Sequence, residues 1–116
     1  MKLTEAMQAD ILQHAKDEFP KEACGLVAVV KGRRRYFPCR NIALTPDEHF
    51  VLDGWHEVEE KGEVVAICHS HPVTNPRPSE ADRVACEKSE LPWFIVNPKT
   101  EGWGYCEPDG FELQYV

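Results

Sequence analysis

The chain has 116 residues, 42% of them apolar, which suits one compact domain with a real core. Its 20 Asp and Glu against 13 Lys and Arg give a formal charge of -7, the wrong sign for a nucleic-acid partner. The opening MKLTEAMQAD lacks the apolar core of a secretory signal, the longest apolar runs are too short to span a bilayer, and five cysteines without a C-x-x-C pair suit a reducing cytoplasm rather than a disulfide framework.

Thr4 is placed to cap a first helix, in which Met7, Ile11, Ala15 and Phe19 recur every four residues and Pro20 ends the pattern. The apolar, valine-rich run Cys24 to Val30 predicts a strand. Lys31-Gly32 predicts a turn, and Arg34 to Cys39 the returning arm of a hairpin, with Arg33, Arg34 and Arg35 as a solvated edge. After the break at Pro46-Asp47, Phe50 to Leu52 predicts a short strand, and Asp53 a cap for a helix running through Lys61 to a stop at Gly62. Glu63 to His69 predicts a further strand, followed by a loop stiffened by Pro72, Pro76 and Pro78. Ser79 opens a helix to about Ser89, and Trp93 to Val96 and Trp103 to Cys106 predict two more strands. The order of elements implies an α+β domain over residues 1–116, with helices packed on a mostly antiparallel sheet.

The chemistry concentrates in ICHSHPVTNPRPSEADR. His69 and His71 stand two apart at a strand end, where alternation sends both imidazoles to one face. If the proline loop folds back, Asp82 in the first turn of the next helix joins them. Two histidines and one carboxylate with an open fourth position form the donor set of a catalytic zinc site. Ser79-x-x-Asp82 also matches a helix capping box, whose only task is to satisfy free backbone N–H groups. A capping hydroxyl still has its hydrogen to donate, which makes Ser79 a candidate for holding an oxyanion. Hydrolysis at a metal also needs a proton acceptor, and spacing does not choose among Glu18, Glu22, Glu48, Glu63 and Glu80. Cys24 and Cys68 lie near the proposed donors, but their apolar strand context reads as core. Trp55, Trp93 and Trp103 are either core residues or the lining of a groove.

A glutamate just before the CGLVAVV strand, then His-Ser-His, then seven residues of which Pro72 is the first, then Ser-x-x-Asp, resembles the signature of the JAMM (MPN-plus) metallopeptidases, with no signature position departing from it. The resemblance implies Zn2+ held by His69, His71 and Asp82, a general acid/base role for Glu22, and stabilisation of the tetrahedral intermediate by Ser79. It also implies the family's α-β-α fold, with helices around a mostly antiparallel mixed sheet, and a peptide or protein substrate.

RYFPCRNIA, GEVVAICHSHP, SEADR and SELPWFIV further resemble the N-terminal domain of the lambda-like phage tail assembly proteins of the K type. This implies tail proteins as partners and a place in the cytoplasm of a bacterial host or on the phage tail. In that family an NlpC-type cysteine peptidase domain typically follows, and it would begin near Val116. Two other readings stand beside peptide or isopeptide hydrolysis: a non-enzymatic tail-assembly scaffold, and cleavage of peptidoglycan cross-links. The segments with which eukaryotic relatives embrace ubiquitin have no room here.

Overall fold

The structure, a computed structural model, describes residues 1–110 and the backbone of 112–115. Helix α1 (Glu5–Glu18) begins where Thr4 Oγ1 accepts from the Met7 N–H at 3.2 Å, and it buries Met7, Ile11 and Ala15. The four-residue spacing is thus realised for three of its four members. Phe19 instead falls at the C-cap, 39% exposed, with the Lys99 ammonium 4.7 Å from its ring centroid.

Strands β1 (Cys24–Val30) and β2 (Arg33–Asn41) form the expected hairpin, with the arginine run exposed at its start. β3 (Leu52–Asp53) pairs with the end of β2, and this overturns the expected helix cap. Asp53 sits opposite Arg40 in the ladder and meets its guanidinium at 3.3 Å, so Gly54, at φ 125°, makes the turn instead. Helix α2 is accordingly the short Trp55–Glu59 segment, without a side-chain cap. Then follow β4 (Glu63–Ser70), α3 (Glu80–Ser89), β5 (Trp93–Val96), β6 (Trp103–Cys106) and β7 (Glu112–Tyr115). The sequence reading did not anticipate β7, which pairs with β6.

Among the described residues, seven strands form one sheet in the order β3-β2-β1-β4-β5-β6-β7. All pairings are antiparallel except β4 with β5, which run parallel because α3 carries the chain between them. Side chains alternate across the sheet, so β4 sends Ala66 and Cys68 toward α1, where they join Leu3, Met7, Ile11, Ala15, Val27 and Phe94. Ile67 points the other way, into a second cluster with Leu26, Val58 of α2, Cys86 of α3 and Trp93. The molecule is therefore a helix–sheet–helix sandwich, the expected α+β arrangement. Gly104 on β6 lies directly beneath the Pro76 carbonyl, where any Cβ would collide, so the proline loop rests flat on the sheet.

Candidate metal centre

His69 is the residue of β4 that follows Ile67 on the α3 side, at the C-terminal end of the strand beside the parallel partner β5. Its imidazole is enclosed, with Phe50 stacked on it at 4.5 Å and 27° and Trp93 meeting it edge-on at 5.4 Å. His71 lies one residue past the strand, its N–H bonded to the Val96 carbonyl at 2.9 Å. Its Nδ1 stands 2.9 Å from the Asn75 carbonyl, which can only accept, so Nδ1 carries a proton and Nε2 is the atom turned inward, a donor to Asp82 when the ring is charged and a lone pair for a metal when it is neutral.

Asp82 arrives from the first turn of α3. The capping box forms in full: Ser79 Oγ accepts from the Asp82 N–H at 3.0 Å, and Asp82 Oδ2 accepts from the Ser79 N–H at 2.9 Å. The same Oδ2 lies 3.0 Å from His71 Nε2, and Oδ1 lies 3.3 Å from His69 Nε2. Capping and convergence on the histidines are thus one conformation of one side chain, and the cap holds the carboxylate toward the cleft.

The donor set fits a zinc ion. His69 Nε2 and His71 Nε2 are 3.3 Å apart, and the nitrogen-to-oxygen separations are 3.3 and 3.0 Å. Ligands about 2.0–2.1 Å from a tetrahedral metal stand about 3.3–3.4 Å from one another, close to the spacing seen. No cysteine joins the group. Cys24 is paired in register with His69, but burial, with Cys39 nearby, pushes its thiol up to about 12, and Cys68 belongs to the α1 side of the sheet. A protonated thiol is a poor ligand.

Burial opposes the charge of Asp82, but hydrogen bonds from His69 and His71 and from the Ser79 N–H outweigh it and hold the carboxyl well below the usual carboxylate range. Burial keeps His69 down. It also pulls on His71, where the Asp82 carboxylate and the Asn75 carbonyl prevail and raise it.

Of the five glutamates left open by spacing, Glu22 and Glu48 line the cleft, and of these two only Glu22 is buried. Burial, reinforced by Asp82 and partly offset by His71, pushes its carboxyl up to about 7. It is seated by its neighbours. The Glu22 N–H donates to the Pro46 carbonyl at 2.7 Å, while the Ala23 N–H donates to Ser70 Oγ at 2.8 Å, tying this segment to the end of β4.

The cleft, about 540 Å3, is lined by 47–50 and by Val73, Thr74 and Ser79. Trp93 lines it; Trp103 lines a separate hollow, and Trp55 packs against the α2 cluster. Phe50 and Asn75 are parts of the site that the sequence did not reveal. Nothing local marks them, because each acts through a residue distant in sequence or through its backbone carbonyl.

This fold and donor cluster define a JAB/MPN domain, and the chain belongs to the prokaryotic homologs of the JAB domain, whose family model matches residues 4–105. Among its relatives, the tail tip assembly protein K of Escherichia phage N15 is 47% identical over 89 residues, which cover 75% of this chain and 37% of that protein. The chain thus spans little more than a third of that relative's length. The CysO-cysteine peptidase of Mycobacterium tuberculosis is 30% identical over 98 residues, 77% of this chain and 67% of that one. A JAB1/MPN domain protein from Archaeoglobus fulgidus superimposes with a TM-score of 0.65 at 22% identity, over 99% of this chain and 96% of that one.

Proposed function

We propose that this chain is a JAMM-type zinc peptidase or isopeptidase that hydrolyses an amide bond during assembly of a phage or prophage tail. What carries the reading is one cleft lined by His71, Asp82 and a buried glutamate raised to about 7, with the enclosed His69 completing the three-donor cluster behind it. A structural brace for the fold has no need of that carboxyl.

His69, His71 and Asp82 would hold the zinc. Bound there, the ion supplies a Lewis acid that polarises an amide carbonyl and lowers the pKa of water from about 15.7 toward 7. Glu22 takes the proton of the attacking water and returns it to the leaving nitrogen, and a pKa near the working pH suits both halves of that transfer. Ser79 Oγ already accepts from the Asp82 N–H, so its own hydrogen is available to the oxyanion that develops on the carbonyl. Such a donor contributes about 3–4 kcal/mol to the transition state. Phe50 and Trp93 shield the buried imidazole from water.

Similarity to a tail tip assembly protein supports tail proteins as partners, and similarity to a protein named as a peptidase supports amide hydrolysis. No described helix is long and apolar enough to cross a membrane.

Zinc content per chain, measured by elemental mass spectrometry for wild type and His71→Ala, tests the site. About one zinc per chain in wild type and little in the variant is the expected result for a three-ligand site. Peptide, isopeptide and peptidoglycan cross-link substrates then identify the bond. Zinc absent from both proteins, even after metal is added, favours a scaffold without catalysis.

A further inference from the structure

The cleft wall formed by residues 42–51 has no regular secondary structure and little core of its own: Ile42, Leu44 and Val51 are 53, 101 and 52% exposed. Its backbone closes at its mouth, where the Ile42 N–H donates to the Val51 carbonyl at 2.9 Å, and turns inside through the Glu48 and His49 N–H groups on the Thr45 carbonyl. Besides the Glu22 N–H on the Pro46 carbonyl and the packing of Phe50 on His69 and Trp93, several of its contacts pass through one side chain. Asn41, the last residue of β2, accepts at Oδ1 from the Ala43 N–H at 3.1 Å and from the Val51 N–H at 3.0 Å. The two hydrogens of its Nδ2 are shared among three carbonyls, those of His49 at 2.9 Å, Glu22 at 3.0 Å and Pro46 at 3.2 Å.

One amide therefore ties both ends of the loop, its middle and the backbone of Glu22. The chemistry is specific to asparagine. Aspartate has the shape but would aim a carboxylate at three carbonyl oxygens, and glutamine carries the same groups one methylene too far. The Asn41 to His49 contact fixes the residue just before Phe50, whose ring lies on His69.

We infer that Asn41 is a positioning residue: it holds the 42–51 loop as a rigid wall of the cleft and, through Phe50, sets the ring plane of His69. The inference concerns the same site as the proposed zinc peptidase and rests on that reading for its functional consequence. It does not rest on it for the geometry. Because His69 Nδ1 is buried without a hydrogen-bond partner among the described residues, the ring lacks the second-nitrogen contact that orients His71, and the Phe50 stack takes over that task.

The test compares wild type, Asn41→Asp, Asn41→Gln and Phe50→Leu in metal-free protein. Amide hydrogen exchange follows the loop, NMR ring-proton shifts follow His69, and zinc affinity is measured by competition with a chromophoric chelator. In Asn41→Asp, exchange at Glu22, Ala43 and Val51 should rise about tenfold or more while α1 stays protected, since local opening is freed without global unfolding. The His69 ring shifts should move, and zinc affinity should fall about 10-fold to 100-fold, as for loss of a residue that orients a ligand. Phe50→Leu should reproduce the ring shift and the affinity loss without loosening the loop, and the double variant should lose less than the sum of the two. Asn41→Gln should lie between wild type and Asn41→Asp; if Asn41→Asp does not fold, this variant and Phe50→Leu decide the question.

An unchanged loop exchange, or a loosened loop with His69 shifts as in wild type, overturns the inference. Failure of the wild type to bind zinc overturns the metal-centre reading instead, and the exchange and ring-shift results then decide the role of Asn41 by themselves.

Discussion

The two faces of the sheet are built from the same strands and do different work. On the α1 side, β4 contributes Ala66 and Cys68 to an apolar cluster closed by Leu3, Met7, Ile11 and Ala15. On the α3 side the same strand contributes Ile67 and then His69, so the apolar cluster gives way at the strand's end to imidazoles and carboxylates. One face can be optimised for packing alone. The other must satisfy buried polar groups, and apart from His69 Nδ1 it does so with the Ser79 cap, the Asn75 carbonyl and the Asn41 amide.

The sharpest way to separate the faces is to compare damage to each. Glu22→Gln on the cleft side should retain zinc yet lower turnover by about 10^2 to 10^4, the usual worth of a positioned proton acceptor. Equal cleavage by the variant of a verified substrate would remove Glu22 from the mechanism. Ile11→Ala on the opposite side should cost about 2–5 kcal/mol of stability through the cavity it leaves. Its zinc stoichiometry below the melting transition should match wild type, checked by denaturant titration beside metal analysis; loss of metal would mean that the faces are coupled.

A third difference concerns pH. The Glu22 carboxyl, raised by burial from an ordinary 4.5 to about 7, binds its proton more tightly folded than unfolded. Its contribution is therefore present at low pH and is lost as pH rises through about 7. Metal-free protein should lose on the order of 3 kcal/mol between about pH 4.5 and 7.5 that Glu22→Gln does not lose. Parallel stability profiles of the two proteins would contradict this. The smallest effect belongs to the helix cap: Ser79→Ala should reduce stability by only about 1 kcal/mol, measured by thermal unfolding of the metal-free protein. A larger loss would show that the capping box braces the whole α3 side.

Much of this was legible in one dimension. The stripe Met7, Ile11, Ala15 and the apolar runs of β1, β4 and β5 carry their own periodicity, so helix, strands and fold class follow from local spacing. His69 and His71 are legible for the same reason, because two residues apart at a strand end means one face. Asp53 misled because its capping preference competed with a ladder partner, Arg40, thirteen positions away, and β7 carries no run distinct enough to announce itself.

The site divides along the same line. Residue types, order and spacing already grouped His69, His71, Ser79 and Asp82, since that stretch is continuous in the chain. Spacing left Glu22 one of five glutamates and only the resemblance to a family signature singled it out; the tertiary structure brings it to the cleft through the β1–β4 pairing and the Ser70 contact, and burial there lifts that carboxyl to about 7. The stacking of Phe50 and the five contacts of Asn41 were decided there too. Sequence spacing carries information between residues within one turn or one strand; burial and orientation depend on what the rest of the chain places around a group, and that exists only once the sheet has formed.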